Sequence, residues 1–390
     1  MGKKPMFKSL IPLAVATFAV GTDSLVIAGI LPAIADSLDV TVSSAGQLVT
    51  VFALTYALAA PIVSAITGTF DRRTVLLAAL AVFVVGNIVT AMGTVFSVVM
   101  AGRIVSAVGS AVIVSIAMAT ATAIAPPEKR GRALALVTAG TTVATTLGVP
   151  LGTLIGGVDW RITLWTVAVM GVVAAVGIAL WLPQVELPAT RLRQRLEPLR
   201  NPAVLGILSV TLLILTSGYV LYTYIGPVTE SATGAVSANL MIVLIAYGAG
   251  SLLGNVVSGF MTDRYPPVRV LVLGLSVLVV TLAVTPLATL NLVTVAVWAV
   301  IWGVAGWLTG LPQQHRLVSC APESSAILLG LNVSVLQLGI AIGSGIGGLM
   351  LPGGVGALAA ISTAMVVAAL LVTVLTTRGQ LSVARVDQTA

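Results

Sequence analysis

The apolar runs of this chain are too long and too numerous for a water-soluble core. The first extends from near Ser9 to near Leu31 and encloses an acid, Asp23, within FAVGTDSLVIAGILPAI, Phe18 to Ile34. About twenty apolar residues rising 1.5 Å each cross a hydrocarbon layer of about 30 Å, so each such run reads as a membrane-spanning helix. Runs of this kind are placed at about 9–31, 45–67, 74–95, 96–125, 133–157, 162–183, 203–229, 236–260, 269–289, 291–312, 326–350 and 355–377. Only 8% of the 390 residues are charged, against about 25% in soluble proteins. The expectation is an all-α membrane protein with twelve transmembrane helices.

The basic residues fix an orientation. With the N-terminus cytoplasmic, Lys3, Lys4, Lys8, Arg72, Arg73, Lys129, Arg130, Arg132, Arg191, Arg193, Arg195, Arg200, Arg264, Arg269, Arg316, Arg378 and Arg385 all fall on the cytoplasmic side. Only Arg161 falls outside, and Arg103 lies within a span. One missed helix would scramble every later loop, so the asymmetry supports both the helix count and cytoplasmic termini. The net charge of +7 is therefore read as lipid contact and topology rather than nucleic-acid binding. Cys320 is alone, so no intrachain disulfide forms. The first run is too long for a signal peptide and reads as a retained helix.

One long polar connection, Gln184 to Pro202, divides the chain into a six-helix bundle over 1–183, a cytoplasmic linker over 184–202, and a second bundle with a short tail over 203–390. The halves repeat. Asp71 and Arg72 recur 192 residues later as Asp263 and Arg264. Gly148, Gly152, Gly156 and Gly157 recur 191 residues later as Gly339, Gly343, Gly347 and Gly348. This is the mark of a duplicated six-helix unit in parallel orientation, giving two pseudo-symmetric bundles.

These features together resemble the major facilitator superfamily. GTDSLVIAGILPAIADSL, LGVPLGTLIGG followed by DWR, and LNVSVLQLGIAIGSGIGG are similar to its bacterial drug:proton antiporters with twelve spans, in the branch of chloramphenicol and sugar efflux proteins. The loop TGTFDRRTVLL is shorter than the family's glycine, aspartate and multiple-basic pattern, and Asp23 stands where many of the branch carry glutamate. The resemblance implies a monomeric multi-pass carrier of the bacterial inner membrane. It also implies that Gly148, Pro150, Gly152, Gly156 and Gly157 flex against the eighth helix to favour export, where the plain reading is tight packing. Asp71, Arg72, Arg73, Asp263, Arg264 and Arg269 are implied to form cytoplasmic gating loops, where the plain reading is a set of solvated topology signals.

Asp23 lies about 8 residues below the outer end of the first helix and Arg103 about 7 residues into the fourth. Both are then about 11 to 12 Å from that surface, a shared depth at which a carboxylate needs a partner. The pair reads as the proton-coupling site, with a static structural ion pair as the alternative. The substrate cavity is expected near mid-membrane between the halves, lined by Thr22, Tyr56, Thr145, Tyr219, Tyr222, Trp302, Asn332 and Gln337, of which any one could instead be ordinary packing. His315 is expected to be exposed, with no second ligand spaced to join it in a metal site.

The sequence lacks a nucleotide-binding loop, so no cofactor is expected and energy comes from an ion gradient or from none. The reading is a proton-coupled efflux antiporter of small neutral or amphipathic compounds, chloramphenicol-like or sugar-like. The alternative is a proton symporter or facilitator for uptake of a sugar or nucleoside. A polytopic membrane enzyme is the remote one, disfavoured by a single histidine and a single clear intramembrane acid.

Overall fold

The apolar runs become helices. The computed structural model describes residues 6–185, 196–234 and 237–387, and among these every regular element is helical. The chain divides into two compact units, Met1–Leu192 and Arg193–Ala390. Lys3, Lys4, Arg191, Arg193 and Arg195, with the middle of the expected linker, lie outside the described residues, as do the side chains of Arg378 and Arg385.

The first unit holds α1 (Met6–Ser37), α2 (Val42–Ile66), α3 (Arg72–Met92), α4 (Phe96–Ile124), α5 (Arg130–Val143), α6 (Val149–Gly156) and α7 (Trp160–Trp181). Short polar residues start several of them. Thr41, Asp71 and Asp159 accept backbone N–H groups of the first turns of α2, α3 and α7, groups that have no partner within the helix itself. α5 and α6 are one span interrupted by a π turn, Ala144–Gly148. Pro150 accounts for the interruption: it has no N–H to continue the ladder, and the Val149 N–H reaches back to the Ala144 carbonyl, one residue further than in an α-helix.

The second unit holds α8 (Pro202–Tyr222), α9 (Ile225–Thr233), α10 (Ser237–Arg264), α11 (Pro267–Ala283), α12 (Thr285–Ala288), α13 (Leu292–Leu308), α14 (Gly310–Cys320), α15 (Ser325–Met350) and α16 (Gly354–Asp387). Asn291 opens α13 with a reciprocal bond: its side chain accepts from Thr294 N–H while the Thr294 hydroxyl accepts from its own N–H. α8 and α16 are clasped where the buried Ser217 and Ser362 hydroxyls each donate to the other's carbonyl, at 2.8 and 3.0 Å.

Ten described helical stretches are long and apolar enough to cross a membrane, against the twelve expected. Two features separate the numbers. Ile327–Thr377 is one 51-residue stretch by hydropathy but contains both α15 and α16, joined through a turn in which Gly354 adopts a φ of 73°, open to a residue without Cβ. α11 is only 17 residues long, because the chain breaks at Val284, next to Pro286, before α12 resumes. A count of twelve therefore requires both that division and the acceptance of this short, interrupted helix as a span.

Candidate functional site

Asp23 and Arg103 meet. α1 and α4 bring the two side chains together with neither exposed to solvent. Arg103 Nη1 donates to Asp23 Oδ1 at 2.6 Å, and Nη2 donates to the Asp23 carbonyl at 3.3 Å. The Arg103 guanidinium also lies over the ring of Phe52 on α2, 4.1 Å from its centroid, so the cation is held by a carboxylate on one side and an aromatic face on another. Four polar atoms nearby in the first unit are dry and unbonded: Asp23 Oδ2, Arg103 Nε, Thr22 Oγ1 and Asn87 Oδ1. Buried polar groups are nearly always satisfied, and each exception costs about 1–3 kcal/mol. Removing either charge would strand the other, at a cost of about 3–5 kcal/mol.

Phe52 and Asn87 escaped the sequence reading. A phenylalanine in an apolar helix carries no signal of its partner. Asn87 did carry one: it lies about 8 residues from the expected outer end of the third span, the depth already found for Asp23 and Arg103.

The glycines of the fifth span meet the first helix. A Cβ on Gly148, Gly152 or Gly156 would collide with Thr22, Val26 or Ile30 of α1, two stripes at four-residue spacing in register. The Thr163 hydroxyl of α7 donates to the Gly152 carbonyl at 2.7 Å and closes the other side. Within the first unit the helix these positions face is α1. The second unit repeats the arrangement, with Gly339, Gly343 and Gly347 of α15 against α8. Pro150 is buried and shapes the π turn, and Gly157 ends α6.

Of the expected cavity residues, Thr22, Tyr56 and Thr145 belong to the first unit, and all three are buried. Thr145 donates to the Thr141 carbonyl at 3.1 Å within its own helix. In the second unit Tyr219, Tyr222 and Trp302 join in one aromatic cluster with Tyr247 and Trp298. The ring centroids are 5.4 Å apart for Tyr219 and Tyr222, 5.1 Å for Tyr222 and Tyr247, 4.8 Å for Tyr247 and Trp302, and 4.9 Å for Trp298 and Trp302. Tyr247 was legible in principle, being Tyr56 shifted by the repeat offset of 191. Asn332 and Gln337 are buried on α15.

The two loop motifs differ in construction. Asp71 accepts the N–H groups of Thr74, at 3.0 Å, and of Val185, at 2.8 Å. Arg72 is buried and donates to the last carbonyls of the second span, Thr67 and Gly68, while Arg73 donates to the Ala179 carbonyl. Slight burial acts to raise the Asp71 pKa, but the donated N–H groups outweigh it and hold the carboxyl below its ordinary value. Asp263, Arg264 and Arg269 are exposed, and Arg264 reaches only the ring of Phe260, 5.8 Å away. His315 is exposed, and among the described residues no group of three or more metal-binding side chains exists.

A family model described as Major Facilitator Superfamily matches residues 13–344. The chain belongs to this superfamily. It is 36% identical to an uncharacterized MFS-type transporter, YbcL, of Bacillus subtilis (strain 168), over 86% of this chain and 87% of that one. It is 36% identical to a chloramphenicol resistance protein of Streptomyces lividans, over 73% and 75%. The inner membrane transport protein YdhP of Escherichia coli (strain K12) is 29% identical over 89% and 90%. Among solved structures, a bacterial homologue of the human lysosomal transporter Spinster, inward-facing and occupied, superposes with a TM-score of 0.81 at 19% identity, over 97% and 98% of the two chains. A D-xylose-proton symporter does so at 0.74 and 16%, over 94% and 97%. These two share the fold. The superfamily member is thus an all-helical, membrane-embedded transporter rather than an enzyme by family and fold.

Proposed function

We propose that this superfamily member is a secondary active exporter that exchanges protons for small neutral or amphipathic compounds, chloramphenicol-like drugs or sugars, by alternating access. It works as a monomer in the bacterial inner membrane with both termini cytoplasmic, and draws on the proton gradient in place of a cofactor. The observation that carries this reading is the buried Asp23–Arg103 pair. A carboxylate in a dry, membrane-embedded unit is tolerable only while paired or protonated, so its charge state is tied to the position of its cation. Protonation from the outer side neutralises Asp23 and loosens Arg103. Deprotonation toward the cytoplasm restores the pair, and arrival of substrate beside Arg103 couples that release to transport. The resemblance to a chloramphenicol resistance protein supports export and the drug class. Thr22, Tyr56, Thr145 and the aromatic cluster supply apolar faces with hydrogen-bonding tips, suited to an amphipathic molecule. The loop motifs serve as cytoplasmic gates, and the glycine stripe of the fifth span lets α6 move closely over α1.

The test is chloramphenicol accumulation and proton movement in proteoliposomes under an imposed pH gradient, preceded by a resistance screen over phenicols, sugars and nucleosides. Asp23→Asn is expected to bind substrate but to lose accumulation against a gradient and the accompanying proton flux. Asp23→Glu retains part of both. If Asp23→Asn concentrates substrate as well as the parent, the reading is wrong.

A further inference from the structure

Arg103 is held from two sides that answer differently to a proton. On the α1 side its Nη1 meets the Asp23 carboxylate at 2.6 Å, and Nη2 reaches the Asp23 carbonyl at 3.3 Å. On the α2 side its guanidinium carbon stands 4.1 Å from the centroid of the Phe52 ring. Protonation of Asp23 abolishes the charge on the first side and leaves the second unaltered. Arg103 and Phe52 are both buried, and a guanidinium keeps its charge at any pH a cell meets, so water does not balance the cation in that state. Among the described residues no second carboxylate pairs with Arg103. What remains under the cation is the negative face of an aromatic ring.

We propose that Phe52 is a positioning residue for proton exchange: its ring face keeps Arg103 in place while Asp23 is protonated, and thereby lowers the cost of taking up the proton. A cation neutralised by a carboxylate attracts the ring less than a bare one, so the ring favours the protonated state over the ionised one. The step itself forms one O–H bond on Asp23 with a proton from solvent and later breaks it. The inference rests on the proton-coupling reading of Asp23 and adds the group that holds Arg103 until the carboxylate returns. Phe52 is in turn met by Tyr56, one turn along α2, with ring centroids 6.4 Å apart. The titratable side chains on elements packed against α1 are Tyr56 on α2, Arg103 on α4, Arg130 and Arg132 at the start of α5, and Arg161 at the start of α7, while α6 and the π turn have none. Lys8 and Asp36 stand near the two ends of α1 itself. On α3, which packs on α4, Arg72 and Arg73 belong to the first turn, whereas Gly102 of α4 lies against Thr90 near the other end. Of all these Arg103 alone forms an ion pair with Asp23.

The test changes the charge distribution of the ring and keeps its shape. Phenylalanine carrying one, two or three ring fluorines replaces Phe52 in the full chain by nonsense suppression, each fluorine drawing electron density from the ring face and weakening its hold on a cation. The carbonyl stretch of protonated Asp23 is followed by infrared spectroscopy through a pH titration of the purified protein in lipid, with Asp23→Asn identifying the band. The midpoint is expected to fall stepwise with each fluorine, by about half a unit to one unit across the series. Phe52→Leu, which keeps apolar bulk without a ring, is expected to move it the same way by about one unit. A midpoint that holds still or rises across the fluorine series overturns the proposal whatever Phe52→Leu does, because a ring that only fills space is indifferent to its fluorines. The absence of any Asp23-dependent band overturns it as well. Accumulation and proton flux in Asp23→Asn are a separate readout. If that variant pumps as the parent does while the band follows the fluorines, the coupling reading falls and the role of Phe52 beside a titrating Asp23 stands.

Discussion

α4 in the first unit and α13 in the second occupy matching places in the repeat, yet each embraces a different neighbour. α4 lies along α3, where added Cβ atoms on Gly86, Gly102 or Gly109 would strike backbone atoms of the facing helix. α13 instead lies along α10, where Gly250, Gly254 and Gly303 play that part. At the repeat offset of 191 the first three glycines become Val277, Val293 and Val300, while the second three stand opposite Ala59, Val63 and Val112. Between α11 and α13 an apolar groove of about 690 Å³ opens, lined by Val277, Val280, Val293, Val297 and Trp298 among others. In lipid, where apolar burial gives little drive for helices to associate, the positions without a side chain decide which pair closes. Charge divides the halves in the same way. Asp23 and Arg103 correspond to Ile214 and Thr294, so the ion pair belongs to the first unit and the aromatic cluster to the second.

The largest effect should come from exchanging the closing residues. Gly102→Val places a Cβ within about 2.6 Å of the Thr90 backbone nitrogen, which no rotamer relieves, and loss of folded protein is expected, at more than about 4 kcal/mol. The reverse change, Val293→Gly, costs less than about 0.5 kcal/mol of helix propensity and leaves the fold. Yield of monodisperse protein and thermal unfolding in detergent measure both. Equal tolerance of the two would break the comparison.

A smaller contrast concerns the glycine stripes. A Cβ on Gly343 meets backbone atoms of Thr216, which no side-chain shift relieves, whereas one on Gly152 meets a side-chain methyl of Val26, so that only side-chain atoms need give. Gly343→Ala is expected to destabilise by about 1–3 kcal/mol and Gly152→Ala by less than about 1, read by the same unfolding assay.

The smallest separates the loops. Asp71→Ala removes a helix cap and is expected to cost about 1 kcal/mol, against less than about 0.5 for the exposed Asp263→Ala. Because the Asp71 pKa is lower in the folded protein than in the unfolded chain, its contribution is complete above the ordinary aspartate value, about 3.9. It fades as pH falls through the folded value, so parent and Asp71→Ala should converge in acid.

The helical class and the two-fold repeat were legible because bilayer thickness and loop charge act on whole segments. The Asp23–Arg103 contact was legible because depth along a helix is countable. Rotation about a helix axis is not countable in the same way, which is why Phe52 and Trp298 went unread. The interrupted α11 reflects a single proline in a run whose hydropathy never dips. Which face of a helix looks into a cavity is set by packing rather than by depth.

The π turn in the fifth span also bears on how the halves diverged. The repeat offset falls from 192 at Asp71 to 191 at Gly148, so between these marks the first half carries one residue more than the second. α15, the counterpart of this span, runs unbroken through the corresponding glycines. The π turn Ala144–Gly148 is thus a joint that the first half has and the second lacks, immediately ahead of the stripe that rides on α1.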